Sequence, residues 1–146
     1  MNAVNFFSRE EKELIKSAVQ EAELNTSGEI RVHLDNRCRE DVMDRAAWWF
    51  GRLNMHKTEL RNGVLFYLAV RDHQFAILGD AGINAVAPED FWDRIREHMA
   101  EQFSQGNFAE GLREGILMAG EALKEHFPHR SDDVNELSDE ISFGGD

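Results

Sequence analysis

The sequence lacks the features of exported and membrane-spanning proteins. It contains a single cysteine, Cys38, among 146 residues. One thiol excludes an internal disulfide, a CxxC redox pair and a zinc site built from four thiolates. Residues 1–10 carry no apolar signal core, and no run of about 18 apolar residues occurs anywhere in the chain. We therefore expect a cytoplasmic protein with no direct membrane insertion.

Basic residues are also scarce. The chain has 16 lysines and arginines against 28 aspartates and glutamates, which gives a net charge of −12. Nucleic acids and anionic membrane surfaces are bound by basic faces, so neither is expected as a partner. The sequence has no Walker loop and no GxGxxG, GxSxG or HExxH motif, so the usual nucleotide-binding, esterase and zinc-protease sites are not predicted. Divalent cations and basic partners remain compatible with the charge.

What is present is the pattern of one domain with alternating helices and strands. Ser8 and Glu11 form a capping-box pattern at the start of the first helix. Strict alternation over residues 29–35 predicts a strand, and the wholly apolar run over residues 63–70 predicts a strand buried on both faces. The predicted elements are a helix over 9–24, a strand over 29–35, a helix over 41–53, strands over 63–70 and 75–78, and helices over 88–105 and 108–127.

The connections between these elements predict the fold. A strand–helix–strand unit gives a parallel crossover, whereas the short turn before residue 75 gives an antiparallel hairpin. The expected fold is a three-layer α/β/α sandwich with a mixed, mainly parallel central sheet, formed by residues 1–128. Residues 129–146 hold six carboxylates and one arginine without amphipathic periodicity, so we expect a mobile acidic tail. Within this tail, Ile141–Phe143 is the one part that we expect to be able to bind another protein surface.

The strand order predicts an acidic cluster at one edge of the sheet. An antiparallel third strand returns Asp80 to the edge where Glu29 begins the first strand and Asn62 precedes the second. The next helix starts near Asp90 and adds a fourth oxygen-bearing side chain. Ca²⁺ and Mg²⁺ prefer oxygen ligands, carboxylates prominent among them. Glu29, Asn62, Asp80 and Asp90 are therefore the first-choice metal ligands.

A second acidic pair is predicted at the opposite edge. Asp35 and Asp72 follow the first two strands, whose carboxyl ends meet at the same edge in a parallel sheet. This pair is the second-choice metal site. For both clusters the alternative is that a chain with 28 acidic residues brings carboxylates together by chance, with Asp80 acting only as a turn residue.

Several short motifs, in this order and spacing, resemble the TPM domain family. They are TSGEI at 26–30, RNGVL at 61–65, FAI at 75–77, GDAGI at 79–83 and FSQGNFAEGL at 103–112. The resemblance spans about residues 6–127 and implies an α/β/α sandwich. It also implies divalent-cation binding in an acidic cleft and, as in plant members of the family, acid phosphatase activity. The usual Asn-Asn-Gly before the second strand is Arg61-Asn62-Gly63 here, so one potential oxygen ligand is replaced by a cation.

Three functions follow as hypotheses. The first is a binding module for Ca²⁺ or Mg²⁺ at the first acidic cluster. The second is a metal-assisted phosphomonoesterase, in which a bound cation polarises a phosphoryl oxygen and Arg61 offers charge to the phosphate. The third is a scaffold or assembly factor that meets a protein partner through the acidic tail or the helix that carries Trp48 and Trp49.

Overall fold

The computed structural model describes residues 2–129 and 138–144. In chain order the helices are α1 (Ala3–Phe6), α2 (Arg9–Glu23), α3 (Val42–Arg52), α4 (Ala81–Asn84), α5 (Phe91–Ser104) and α6 (Phe108–His126), with a 3-10 turn at Met55–Lys57. The strands are β1 (Glu29–Asp35), β2 (Gly63–Ala69), β3 (Gln74–Gly79) and β4 (Ser142–Phe143). No helix in these described ranges is long and apolar enough to cross a membrane.

The strands form one mixed sheet in the order β3-β2-β1-β4. β1 and β2 are parallel, with Glu29 beside Gly63 and Asp35 beside Ala69. β2 and β3 form the predicted antiparallel hairpin. β4 runs parallel to β1 on its other side. The mixed, mainly parallel sheet with a hairpin is therefore confirmed.

Helices cover both faces of this sheet. The larger core joins α2, α5 and α6 to one face, where Ile30, Val32 and Leu34 of β1 are fully buried. The smaller core packs Ala46 and Phe50 of α3 against the opposite face. This arrangement confirms the α/β/α sandwich. It also places the alternate residues of β1, including His33 and Asp35, on the α3 side of the sheet.

The first long helix forms as its sequence predicts. The Ser8 hydroxyl accepts a hydrogen bond from the Glu11 N–H at 3.1 Å, and the Glu11 carboxylate accepts one from the Ser8 N–H at 2.8 Å. This reciprocal pair is the capping box, which satisfies two backbone donors at the helix start. The helix ends at Glu23, one residue before the predicted end.

Several features differ from the sequence-based expectation, among them the short helix α1 and the 3-10 turn, which were not predicted. Residues after β3 form the short helix α4, capped by Asp80, where a loop was expected. Helix α5 begins at Phe91 instead of Pro88, because the Phe91 N–H bonds the Pro88 carbonyl in a turn that precedes the helix. Residues 138–144 of the expected mobile tail lie against the domain and supply β4, whereas residues 130–137, 145 and 146 are outside the described part of the chain.

Candidate functional site

Glu29, Asn62 and Asp80 lie together at the amino edge of β1 and β2, and we call them the amino-edge cluster. Glu29 is paired with Gly63, and the Asp80 N–H donates to the Gly63 carbonyl at 2.9 Å. Glu29 and Asp80 therefore flank a position that has no side chain. The Asn62 carbonyl accepts a hydrogen bond from the Glu29 N–H at 3.5 Å, which ties the third member to the same edge.

All three side chains of the amino-edge cluster are buried. The exposed fractions are 3% for Glu29, 1% for Asn62 and 6% for Asp80. The Asn62 side-chain amide donates to the Ser27 hydroxyl at 3.4 Å, and its backbone N–H donates to the Thr58 hydroxyl at 3.3 Å. Burial of polar groups costs free energy unless they are hydrogen-bonded or paired. The fold therefore holds these oxygen-bearing groups together against a desolvation cost.

Asp80 is paired with an arginine of the adjoining loop. Arg61 donates from Nε to one carboxylate oxygen at 2.7 Å and from its terminal nitrogen to the other at 2.8 Å. Asp80 also accepts from the Ala81 N–H at 2.8 Å, which caps α4. Burial alone would raise the pKa of Asp80, but the hydrogen bonds from Arg61 and Ala81 outweigh it and lower the pKa. Asp80 is thus an anion that is already paired with a cation of the same chain. The side chain of that cation, Arg61, is about half exposed (51%).

Asp90 differs from the other three predicted ligands. It lies immediately before α5, its side chain is 68% exposed, and it pairs with Arg94 at 3.4 Å one helical turn further on. Within residues 2–129 and 138–144, no group of three or more His, Cys, Asp or Glu side chains is arranged to hold a metal ion. Any cation at the amino-edge cluster would therefore depend on its amide and backbone oxygens as well as on its two carboxylates.

At the opposite edge, Asp35 is the centre of a buried hydrogen-bond network. Its carboxylate is 1% exposed and accepts from the Tyr67 hydroxyl at 2.6 Å and from the Trp49 indole at 3.0 Å. His33 Nε2 lies 3.0 Å from the other carboxylate oxygen, Oδ1. Arg45 Nε lies 3.4 Å from Oδ2, the oxygen that Tyr67 and Trp49 also bond. Burial favours a higher pKa for Asp35, but these donors, His33 and Tyr67 foremost, lower it. The same arrangement raises the pKa of Tyr67, first through burial and then through Asp35.

Asp72 is engaged elsewhere. Its carboxylate accepts the backbone N–H of Cys38 at 2.7 Å, which ties the hairpin turn to the loop after β1. The second-choice pair is therefore divided between two sets of partners: Asp35 belongs to the buried network, and Asp72 fastens a loop.

Sequence reasoning missed the partners of Asp35. His33 is fully buried and stacks on Trp49 with ring centroids 3.7 Å apart. Its Nδ1 lies 2.6 Å from the hydroxyl of Ser142 in β4. The polar row on alternate positions of β1 was a usable signal, because a strand face that packs only on a core would be apolar. The partners of this polar row are Tyr67, Trp49 and Ser142, which come from three other elements. No local sequence pattern joins these residues to β1.

Comparisons with known proteins agree with this architecture. A model of the TPM domain family matches residues 1–122. The NMR structure of the BA42 protein from the psychrophilic bacterium Bizionia argentinensis is 51% identical, covers 96% of this chain and 97% of its own, and superimposes with a TM-score of 0.89. No curated protein is significantly similar to the chain.

Two more distant solution structures share the fold. The N-terminal domain of a P. gingivalis protein is 21% identical with a TM-score of 0.72, over 86% of this chain and 83% of that one. The N-terminal domain of the cg2496 protein from Corynebacterium glutamicum is 16% identical with a TM-score of 0.62, over 90% and 82% of the two chains. Because the family model spans most of the sequence, the chain belongs to the TPM domain family.

Proposed function

We propose that the chain binds a divalent cation, Ca²⁺ or Mg²⁺, at the amino-edge cluster, with Glu29, Asn62 and Asp80 as ligands. The observation that carries this proposal is the burial of two carboxylates and an amide at one edge of the sheet, where Glu29 is paired with Gly63 and Asp80 is bonded to it. Hard cations take carboxylate, amide and backbone carbonyl oxygens together, so two carboxylates suffice when other oxygens complete the shell. Asp90, exposed and paired with Arg94, is the least supported of the four predicted ligands.

Arg61 competes with a metal ion for Asp80 in this proposal. A cation that takes the Asp80 carboxylate must displace both hydrogen bonds from the guanidinium. The half-exposed side chain of Arg61 can swing into solvent without unpacking the core. Replacement of Arg61 by asparagine would remove the competitor and supply another oxygen. The Arg61→Asn variant is therefore expected to bind the cation more tightly than the wild type.

The test is an amide-shift titration of the ¹⁵N-labelled chain with Ca²⁺ and with Mg²⁺, in ~0.15 M salt to screen non-specific attraction to the acidic surface. Saturable shifts are expected at residues 28–30, 62–63 and 79–81. The double variant Glu29→Gln with Asp80→Asn should abolish them, and Arg61→Asn should lower the midpoint.

Asp93→Asn is the matched control, because it removes one exposed carboxylate, paired with Arg96, and leaves the amino-edge cluster intact. Unchanged affinity in the double variant would contradict the proposal. If Asp35→Asn abolished the amide shifts and the double variant did not, the site would lie at the opposite edge.

A metal-assisted phosphomonoesterase is the second candidate function. The observation that favours it is the half-exposed guanidinium of Arg61 at the same edge, since arginine binds phosphate oxygens well. The measurement is Mg²⁺-dependent hydrolysis of p-nitrophenyl phosphate by purified protein, with the Glu29→Gln and Asp80→Asn double variant as the matched preparation. Equal turnover by both preparations would exclude catalysis at this edge.

A further inference from the structure

The C-terminal segment, residues 138–144, lies in a groove between helix α2 and the edge of β1. We call this the α2–β1 groove and define it by Lys12, Lys16 and His33–Asp35. Ser142 is paired with His33 and Phe143 with Leu34, in a parallel register. The Gly144 N–H donates to the Leu34 carbonyl at 2.9 Å. The segment therefore adds a strand to an edge of β1 whose backbone groups would otherwise lack a strand partner.

Charge complementarity fixes one end of the segment. Glu140 forms an ion pair with Lys16 at 2.6 Å, and the ammonium of Lys12 lies 5.5 Å from the centre of the Phe143 ring. Both lysines project from α2, one turn apart. They form a local basic face on a chain whose net charge is −12. An acidic residue followed by an aromatic residue three positions later matches this face.

Hydrogen-bond chemistry fixes the middle of the segment. The Asp35 carboxylate can only accept, so His33 Nε2 carries the proton of that hydrogen bond. His33 Nδ1 lies 2.6 Å from the Ser142 hydroxyl, which in turn donates to the Val32 carbonyl at 3.3 Å. Tyr67 and Trp49 hold Asp35 in place through their own hydrogen bonds. The groove thus presents two polar groups, His33 Nδ1 and the Val32 carbonyl, spaced for a small hydroxyl side chain.

Steric fit fixes the position of the glycine. A Cβ on Gly144 would lie 1.7 Å from the Asp35 carboxylate oxygen and 3.2 Å from His33 Nε2. Asp35 is held by several donors and cannot move aside without breaking them. Residue 144 must therefore be glycine for the segment to seat. These contacts, together with Ile141, which is partly buried against the larger core, select the pattern Glu-Ile-Ser-Phe-Gly.

We propose that the α2–β1 groove is a peptide-recognition site, which takes an extended acidic segment of the pattern Glu-Ile-Ser-Phe-Gly as a parallel strand on β1. The chain's own residues 140–144 are the occupant in cis. A partner protein that carries the same pattern binds in trans by displacing them. Strand addition to an open sheet edge is a common mode of peptide recognition, in which backbone bonds give affinity and side-chain contacts give specificity.

The experiment uses the full-length chain with a substitution that displaces its own residues 138–144 from the α2–β1 groove. The Gly144→Val variant leaves every groove residue intact. The probe is a fluorescein-labelled synthetic peptide, SDEISFGGD, which reproduces residues 138–146. Because a tethered segment competes at a high effective concentration, the peptide is expected to bind Gly144→Val about tenfold or more tightly than the wild type, measured by fluorescence anisotropy. Saturable amide shifts should map to α2 and to residues 33–35.

Charge exchange supplies the specificity control. In the Gly144→Val background, Lys16→Glu should weaken peptide binding, and a peptide with lysine in place of Glu140 should restore it. A peptide with valine at the position of Gly144 should not bind. Glu140→Lys in the full-length chain is a second way to unseat the segment, and its side chain is 67% exposed, so the domain will tolerate it.

Absence of saturable binding to both unseated variants would overturn the proposal, as would equal affinity for the glycine and valine peptides. Concentration-dependent dimers in a mixture of Gly144→Val and wild-type chains would support it and identify a second copy of this chain as a source of the segment.

Discussion

Asp35 and Asp80 are both buried carboxylates at the ends of strands, but their surroundings give them different chemical availability. Asp35 is bonded by Tyr67, Trp49 and His33, which come from the sheet and from α3. Release of Asp35 would leave several buried donors unpaired, and each would cost about 1–3 kcal/mol. The side-chain partner of Asp80 is Arg61, which is about half exposed. A ligand can therefore reach Asp80 at a lower free-energy cost, which is why we prefer the amino edge.

Residue-scale geometry could be predicted only in part from the sequence. Strand order alone brings Glu29, Asn62 and Asp80 to one edge, because parallel register and a tight hairpin determine which strand ends meet. The bidentate contact between Arg61 and Asp80 depends on the left-handed backbone of Arg61, with φ of 53°, which directs the side chain back to the edge. No periodicity signals such a conformation in a non-glycine residue.

Glu23 gives a pH-dependent prediction at the same scale. Burial, together with the hydrogen bond to Asp139, raises the pKa of Glu23 from 4.5 to about 9. The folded chain thus keeps Glu23 protonated where the unfolded chain ionises it. The stability that this group contributes is full below about pH 4.5 and is lost as the pH rises to about 9.

Urea unfolding from pH 5 to pH 9 measures this effect. The free energy of unfolding of the wild type should fall relative to that of Glu23→Gln, which keeps an acceptor for the Ile30 N–H at 2.8 Å and cannot ionise. Glu21→Gln, an exposed change on the same helix, should run parallel to the wild type. A constant difference between wild type and Glu23→Gln across this range would refute the assignment.

Among the elements, those with strong periodicity formed as predicted. The continuous apolar run of β2 matches its observed burial, whereas in β1 the polar alternate positions are buried as well, except for the half-buried Arg31. The elements that were not predicted are short: α1 and α4 have four residues each, the 3-10 turn has three and β4 has two. Such lengths cannot show a helical or strand period. Tertiary contacts help to hold them: the Ala3 N–H of α1 donates to the Asn36 side chain, the Gly82 N–H of α4 donates to the Arg61 carbonyl, and His33 lies beside β4.

Substitutions at two helical glycines distinguish the effect of close packing on stability from that of intrinsic helix propensity. A Cβ on Gly120 of α6 would lie 2.7 Å from Ala22 Cβ and 2.9 Å from its Cα, so Gly120 permits close approach of α6 to α2. A Cβ on Gly51 of α3 would meet nothing within 4 Å. We expect Gly120→Ala to destabilise the chain by about 1–3 kcal/mol through overpacking. Gly51→Ala should stabilise it by about 0.5–1 kcal/mol through reduced backbone entropy.

Urea midpoints at a common pH, with unchanged slopes, measure both glycine substitutions. Stabilisation by both substitutions would show that helix propensity, and not the contact between α2 and α6, governs Gly120.

At the scale of the whole molecule, we expect the C-terminal segment to detach by local unfolding, whereas the core of the domain opens only by global unfolding. Every residue of β2 is buried between two layers of helices, so exchange of its amides requires global unfolding. β4 has two residues and lies at the edge of the sheet, where Phe143 remains 37% exposed. The segment can therefore leave the α2–β1 groove while the rest of the fold stays intact.

Native-state hydrogen exchange tests this separation. The Gly144 amide, bonded to Leu34, should exchange faster than the Phe66 amide by orders of magnitude, with a rate that low concentrations of denaturant leave unchanged. The Phe66 rate should rise with denaturant as the free energy of global unfolding falls. If both amides exchanged at one rate with one denaturant dependence, the segment would be an integral strand of the domain. In that case a peptide in trans could not replace it without unfolding the chain.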